Sequence, residues 1–357
     1  MIHLRHVIKC LTEEGELNAN VDIDLSEAEL LKTYQTMVLT RILDTRMIAL
    51  QRQGRIGFYL SSYGEEACSV GSALGVSTND WFFPAYREQG AMLLKGVSLH
   101  FIISHLRGTA EDEHKGRSLP GLFGCSSKRF VPPSAPVGTQ IPHGVGAALA
   151  SKLIGDNSAT IVYFGDGATS SNDFHSGMNF AGVFKTPNVF FCKNNQWAIS
   201  THVNSQTSSQ GIAVKAQAYG FDGVLVDGND VLAVYLATKT AMENARAGRG
   251  PTLIEALTYR LSSHSTSDDN SRYQDQIEYK KWLNKDPIAR FRKYLNNAGI
   301  WTVEYEQELQ EKSNRQISEA IAQVESSPMP SVDTLITDVY SEIPSALRAD
   351  FEDIRNV

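Results

Sequence analysis

Apolar positions along the 357-residue chain follow two periods, and they change over in an ordered way. Leu30, Leu31, Tyr34, Met37, Val38, Ile42 and Leu43 recur at helical spacing. That stretch opens on Ser26 with Glu29 three residues on, the pattern of a capping box, and Gly54 marks its end. Gly64 to Ala73 predicts a second helix, stopping near Gly75, and Trp81-Phe82-Phe83 a short strand. Gly144 to Leu153 predicts a helix whose small residues, Gly144, Gly146, Ala147, Ala148 and Ala150, allow close packing. Two uninterrupted apolar runs, 159–164 and 188–193, read as buried strands around a helix over about 170–184. A strand over Gly223 to Val226 then leads to Asp230, which can cap a helix running to Arg246. After a turn at Gly248-Arg249-Gly250-Pro251, Thr252 to Arg260 predicts a last strand. From Ile277 the pattern is helical to about Ser326, and the tail from Pro328 is punctuated by Pro and Ser. Residues 1–25 read as an extended arm.

Strands alternating with helices predict an α/β fold, a mostly parallel sheet covered by helices on both faces. No repeat or linker divides the chain, so residues 1–357 read as one domain. Two polar stretches lack any period. Residues 108–135 are rich in Gly, Ser, Pro, Lys and Arg, and 262–271 is a polar, serine-rich run. Aperiodic stretches of the first kind are more often functional loops than structural ones.

Composition narrows the function. At 42% hydrophobic and 20% charged residues the chain has an ordinary globular balance, and its formal net charge of −7 argues against a nucleic-acid-binding face. No apolar run approaches the roughly 18 residues a membrane span needs. Met1 to Glu16 lacks the apolar core of a signal peptide and carries Glu13, Glu14 and Glu16, unlike a transit peptide. Cys10, Cys68, Cys125 and Cys192 show no CxxC spacing and read as reduced thiols of a cytosolic-type compartment.

The candidate chemistry sits at the ends of the two apolar runs. The first is followed by Gly165-Asp166-Gly167 and the second by Asn194-Asn195. Asp166 and Asn195 therefore fall at the carboxyl ends of two strands, where open parallel sheets place ligands. A carboxylate and an amide oxygen converging there suit a small hard cation such as Mg²⁺, with the Trp197 carbonyl as a third donor. The glycines let backbone approach a bulky anion, and the following helix would aim free N–H groups at it. The simplest ligand is a diphosphate held through Mg²⁺. Either dipeptide alone is an ordinary turn; both together, each after a strand, are not.

This spacing resembles the diphosphate-binding motif of thiamin diphosphate (ThDP) enzymes. The surrounding words resemble the α subunits of the E1 component of 2-oxo acid dehydrogenase complexes, the branched-chain members above all. They are Phe58-Tyr59, Tyr63-Gly64-Glu65-Glu66, Tyr86-Arg87-Glu88, Pro136 with Thr139-Gln140-Ile141-Pro142, and Phe174-His175-Ser176-Gly177-Met178-Asn179-Phe180. Val226-Asp227-Gly228-Asn229-Asp230-Val231, His264-Ser265-Thr266-Ser267-Asp268-Asp269 and Asp338-Val339-Tyr340 complete the set.

The resemblance implies roles for particular residues. Tyr86 and Arg87 match a pair that contacts the cofactor's diphosphate, a group suited to a planar guanidinium. Gly165, Gly167, Ala168, Ser134, Pro136 and Val137 fall at cofactor positions, and Lys193, an arginine in animal branched-chain enzymes, adds charge to them. Asp166, Asn195 and the Trp197 carbonyl match the Mg²⁺ ligands, Trp197 replacing a tyrosine. Ser134, Pro136, Thr139 and Gln140 match a monovalent-cation (K⁺) loop, with Ala135 in place of a serine; Ala85 also replaces a glutamine. His264 matches a histidine at the reacting end of the cofactor, a ring that titrates near neutrality and can steady charge or move a proton. Ser263 replaces a second histidine beside it. Ser265 matches a serine phosphorylated in mitochondrial members, though as read from this chain alone it is a polar loop serine. His175 is assigned only packing or polar satisfaction.

The reaction implied is ThDP-dependent oxidative decarboxylation of a branched-chain 2-oxo acid such as 3-methyl-2-oxobutanoate, with acyl transfer to the lipoyl group of an E2 acyltransferase. The carboxylate that must protonate the aminopyrimidine of ThDP comes from a separate β chain in this family, which implies an α₂β₂ heterotetramer inactive as α alone. The expected compartment is the cytoplasm, or the mitochondrial matrix of a eukaryote after leader removal. Two readings compete: a pyruvate or acetoin dehydrogenase α subunit, and a non-enzymatic scaffold that binds a Mg²⁺-nucleotide.

Overall fold

A computed structural model describes residues 7–355. In chain order its elements are α1 (Glu27–Arg52), α2 (Glu66–Leu74), β1 (Trp81–Phe83), α3 (Gln89–Leu94), α4 (Leu99–Arg107), α5 (Gln140–Ile154), β2 (Thr160–Gly165), α6 (Asn172–Phe184), β3 (Asn188–Asn194), β4 (Trp197–Ala198) and β5 (Thr201–His202). There follow β6 (Asp222–Asp227), α7 (Val231–Arg246), β7 (Thr252–Leu257), α8 (Gln276–Leu283), α9 (Pro287–Asn297), α10 (Val303–Ser326), α11 (Thr334–Thr337) and α12 (Arg348–Arg355). Five strands pair in the order β1-β2-β3-β7-β6, every pair parallel.

Period two divides the apolar strands between two cores. Ile161, Tyr163, Val189 and Phe191 face one side, against Tyr34 and Met37 of α1, Val70 of α2 and Leu232 of α7. Val162, Phe164, Phe190 and Cys192 face the other, against Ile141 and Val145 of α5 and Phe174 and Met178 of α6. Strands buried on both faces must be apolar at every position, and this is why the two runs showed no alternation. The chain steps β2–α6–β3 in one direction across the sheet and β6–α7–β7 back in the other. Right-handed crossovers then place α6 and α7 on opposite faces.

The capping box is present: the Ser26 hydroxyl accepts from Glu29 N and the Glu29 carboxylate accepts from Ser26 N at 2.8 Å. The described part of the amino-terminal arm is tied to the sheet edge but is not extended throughout: Leu11 pairs antiparallel with Leu17 across a turn that ends on Gly15 at φ +78°. Ile8 bridges Val226 in parallel, and the amides of Cys10 and Leu11 each donate to Asp230 Oδ2 at 2.7 Å. Residues 1–6 of that predicted arm lie outside the described residues.

Several boundaries differ from expectation for local reasons. The strand predicted to reach Arg260 stops at Leu257, where its partner β3 ends. The helical stretch from Ile277 is three helices, broken where Asp286 caps α9 ahead of Pro287 and where Gly299 takes φ +72°. Helix α5 starts at Gln140, earlier than its run of small residues. Helices α3 and α4 were not foreseen; the second is capped by Ser98 and stopped by Gly108 at φ +72°. Among the described residues no helix is long and apolar enough to cross a membrane.

Candidate active site

A cavity of about 370 Å³ opens at the carboxyl ends of the strands. It takes Tyr86 and Arg87 from the segment after β1, Gly165–Ala168 from the end of β2, and Asn195 and Trp197 from beyond β3. Arg260 and His264, past β7, and Ser134, Pro136, Val137 and Gln140 from the long loop and the start of α5 close it. Thirteen positions chosen from sequence thus line it (Tyr86, Arg87, Ser134, Pro136, Val137, Gln140, Gly165, Asp166, Gly167, Ala168, Asn195, Trp197 and His264). Lys193, Thr139 and Ser265 do not line it.

The Asp166 carboxylate is the chemical centre. It is 1% exposed, and no Lys or Arg forms an ion pair with it among the described residues. Burial raises its pKa to about 6, offset in part by the 2.7 Å bond from Gln206 Nε2 to Oδ2. A desolvated carboxylate without a cation is what a bound cation would relieve. Asn195 is oriented for the same task. Its Nδ2 donates to Glu65 Oε1 at 2.7 Å, and an amide nitrogen committed there fixes the oxygen on the opposite side. That Oδ1 accepts only a 3.2 Å bond from Trp197 N. The Trp197 carbonyl accepts from Arg260 Nη1 at 3.1 Å and keeps its second lone pair. Among the described residues no group of three or more His, Cys, Asp and Glu side chains could hold a metal. One carboxylate, one amide and one carbonyl fit Mg²⁺ if phosphate and water supply the rest.

Gly167 carries a constraint the sequence did not show: a Cβ there would stand 2.7 Å from the Ala198 Cβ, so the glycine also admits the β4–β5 hairpin. Two expectations need correction here. The helix after Gly167 does not point its first turn at the site directly. A 3₁₀ turn, Asp166–Ser170, intervenes, and α6 is capped separately by the Ser171 hydroxyl. Lys193 is a strut rather than a phosphate ligand. Its Nζ lies 2.6 Å from Glu88 Oε1 and 3.4 Å from Glu65 Oε2, and it donates to the Arg87 carbonyl at 3.1 Å. Burial alone would lower its pKa; the carboxylates of Glu88 and Glu65 outweigh that and raise it.

Arg87 sits above this buried cluster. Its guanidinium donates to the Ser61 carbonyl, to the His264 carbonyl at 2.6 Å and to His264 Nδ1 at 3.2 Å. A guanidinium only donates, so Nδ1 accepts and the imidazole proton resides on Nε2. Burial first, then the positive charges of Arg87 and Arg260, push the His264 pKa down to about 3. The ring is therefore neutral at physiological pH and does not titrate near neutrality as the bare residue type suggested. Its loop is well supported without a second histidine. The Ser263 hydroxyl donates to Asn270 Oδ1 at 3.0 Å, and Asp268 Oδ2 accepts from His264 N at 2.7 Å.

The remaining candidates fall nearby. The Thr139 hydroxyl donates to the Pro136 carbonyl at 2.9 Å, and Gln140 Nε2 to the Tyr163 carbonyl at 2.8 Å. Ser265 is buried with its Oγ accepting from Ser267 N at 3.2 Å, so a kinase would meet this hydroxyl only after the loop opened. His175 bonds the Tyr219 hydroxyl at 2.5 Å, the polar satisfaction expected of it. Sequence reasoning missed Arg260, Gln206, Glu65 and Glu88 as parts of the site. Glu65 and Glu88 stood inside quoted words, but nothing local marked them as buried counter-charges.

Comparison with known proteins gives the chain a family. Residues 34–333 match the family model described as "Dehydrogenase E1 component". The chain belongs to the dehydrogenase E1 component family. It is 42% identical over 350 residues, 98% of its own length and 79% of theirs, to the mitochondrial 2-oxoisovalerate dehydrogenase α subunits of Mus musculus and Homo sapiens. It is 44% identical over 332 residues, 93% of its length and 88% of the other, to a 3-methyl-2-oxobutanoate dehydrogenase α subunit of Mycobacterium tuberculosis. Two further buried carboxylates near the cavity, Glu65 and Glu88, are engaged by Lys193 and Asn195.

Proposed function

We propose that this chain is the α subunit of a ThDP-dependent branched-chain 2-oxo acid dehydrogenase and holds the diphosphate half of a site completed by a β chain. The observation carrying this reading is Asp166: buried, unpaired, raised to about 6, and set beside an asparagine whose oxygen is aimed by Glu65. Asp166, Asn195 and the Trp197 carbonyl would hold Mg²⁺, and Mg²⁺ the diphosphate. Tyr86 and the potential of Arg87 and Arg260 favour the anion. When bound, ThDP supplies the electron sink for decarboxylation. The neutral His264, steered by Arg87, would direct Nε2–H toward the reacting end, where it could donate a hydrogen bond to a developing oxyanion. A lipoyl disulfide on E2 would accept the acyl group and be reduced to the dithiol as it does so. The relatives' names support a branched-chain substrate; the Thr266-Ser267-Asp268-Asp269 ending supports it independently.

Co-purification with the matching β chain tests this. The α chain alone should show no ThDP-dependent decarboxylation, and the α₂β₂ assembly should. 2-Oxoisovalerate should exceed pyruvate in kcat/KM by about 10-fold or more, the scale of a few methylenes in an apolar pocket. Full activity of α alone, or a preference for pyruvate, would contradict the reading.

A further inference from the structure

A second cavity, of about 460 Å³, lies apart from the catalytic one and shares no lining residue with it. One wall is the end of α4, with Arg107, and the start of the long aperiodic loop, with Lys115 and Arg117. The other is the carboxyl-terminal tail, with Met329, Val332 and Leu335. The loop folds tightly here, for Lys115 and Gly116 both take positive φ, +50° and +74°. A non-glycine residue in that region is uncommon, and beside a cavity it points to a use for the side chain. The turn brings Lys115 and Arg117 to one point at the cavity's rim.

Charge sets this cavity apart. Arg107, Lys115 and Arg117 line it, and no carboxylate does. Their counter-charges stand behind them and are too few. Lys115 Nζ and Arg117 Nη1 meet the same oxygen, Asp338 Oδ2, at 2.6 and 2.7 Å. Arg107 comes no closer than 3.6 Å to Glu325, because Arg55 already holds both oxygens of that carboxylate, at 2.7 and 2.6 Å. Four cations thus share two carboxylates, an excess of two positive charges. Asp112, behind the loop, is buried and spent on His105 and on the amides of His114 and Gly116. Such an excess matches the doubly charged head of a phosphate monoester, a group that guanidinium and ammonium both suit. Leu106, Pro120, Val332 and Leu335 offer apolar walls to the rest of such a ligand, and the volume is that of a small-molecule pocket. The three cationic side chains are 31–35% exposed, so an anion can reach them. We propose that this cavity binds a phosphate monoester with an apolar body. The same loop runs on to Pro133 and Ser134 at the catalytic cavity, so an occupant would tie the loop down at its far end. The proposal does not rest on the ThDP reading.

The test uses the α₂β₂ assembly saturated with ThDP and Mg²⁺, so that the diphosphate end of the catalytic cavity is filled. Phenyl phosphate, titrated by calorimetry, should bind at one site per α chain. Inorganic phosphate, without the apolar body, should bind about 10-fold more weakly, and benzyl alcohol, without the charge, should show no binding. Arg107→Met and Lys115→Met should each weaken phenyl phosphate about 10-fold, the scale of one charge-assisted contact. Both residues belong to surface ion pairs, so the thermal midpoints of the variants should stay within about 2 °C of wild type. Absence of phenyl phosphate binding in wild type, or equal affinity in wild type and both variants, would overturn the proposal. Benzyl alcohol binding as tightly as phenyl phosphate would overturn it too, since the cavity would then read no charge. Inorganic phosphate binding as tightly would overturn the apolar body. None of these outcomes touches the ThDP reading, which is tested through Asp166.

Discussion

Lys193→Met should destabilise the protein by about 3–5 kcal/mol, a large share of the 5–15 kcal/mol typical of a native fold. The reason is the company Lys193 keeps. Glu65 and Glu88 are both essentially inaccessible, and Lys193 Nζ is within ion-pair distance of each. Methionine fills the space of the stem but leaves two desolvated carboxylates facing each other with only Arg87 nearby, at 3.9 Å from Glu65. Lys193→Arg keeps the charge and should recover most of the loss. Because the folded pKa of Lys193 is raised above its ordinary 10.5, its contribution is whole through neutral pH and is lost only as alkaline pH passes that raised value. Urea unfolding of the three proteins at pH 7.5 checks the order wild type, Lys193→Arg, Lys193→Met. Equal midpoints for wild type and Lys193→Met would show that the cluster does not need its cation.

His264→Gln should lower kcat by about 10²- to 10³-fold, the range ascribed to one preorganised donor to a developing oxyanion, with ThDP affinity changed only a few-fold. Glutamine keeps a donor of similar reach but lacks the rigid ring that Arg87 holds in place. The ring's electrostatics also set a sign for pH dependence. The folded pKa, about 3, lies below the ordinary 6.5, so His264 contributes stability that is present above pH 6.5 and is lost as pH falls from there toward 3. Unfolding measured at pH 7.5 and at pH 5 should therefore show a smaller difference in His264→Gln than in wild type. For the same reason the acid limb of the wild-type activity profile should not be the titration of this ring. An unchanged kcat in the variant would place the donor to the oxyanion elsewhere.

What could be read in the sequence was whatever chemistry is local. The two buried strands announced themselves as apolar runs, and the residues just past their ends, Asp166 and Asn195, fell into one cavity as expected of carboxyl-terminal strand ends. Ser26 and Asp230 capped the helices assigned to them because capping needs only neighbours within one turn. What could not be read was set by distant partners. Lys193 reads as a cofactor contact because it keeps the charge of an arginine at the matching position of the family; Glu65 and Glu88, from other segments, capture it instead. His264 reads as a histidine poised near neutrality, but burial first, and then the charges of Arg87 and Arg260, hold its pKa down. Gly167 looked like room for a phosphate, and the hairpin it admits lies beyond the next strand. Arg260 gave no signal at all, since a guanidinium that binds three carbonyl groups is defined only by where those carbonyls come to rest.

The most direct test is a titration of ThDP into the α₂β₂ assembly with and without Mg²⁺, on wild type and on Asp166→Ala. Wild type should bind tightly only with Mg²⁺, and its affinity should fall as pH drops from 7.5 through about 6, where the Asp166 carboxylate takes up a proton. Asp166→Ala should bind about 100-fold more weakly, on the scale of a lost charged contact, and should no longer respond to Mg²⁺ or to this pH range. Equal affinity in the two proteins, or wild-type binding indifferent to Mg²⁺, would contradict a cation-bridged diphosphate at Asp166 and Asn195.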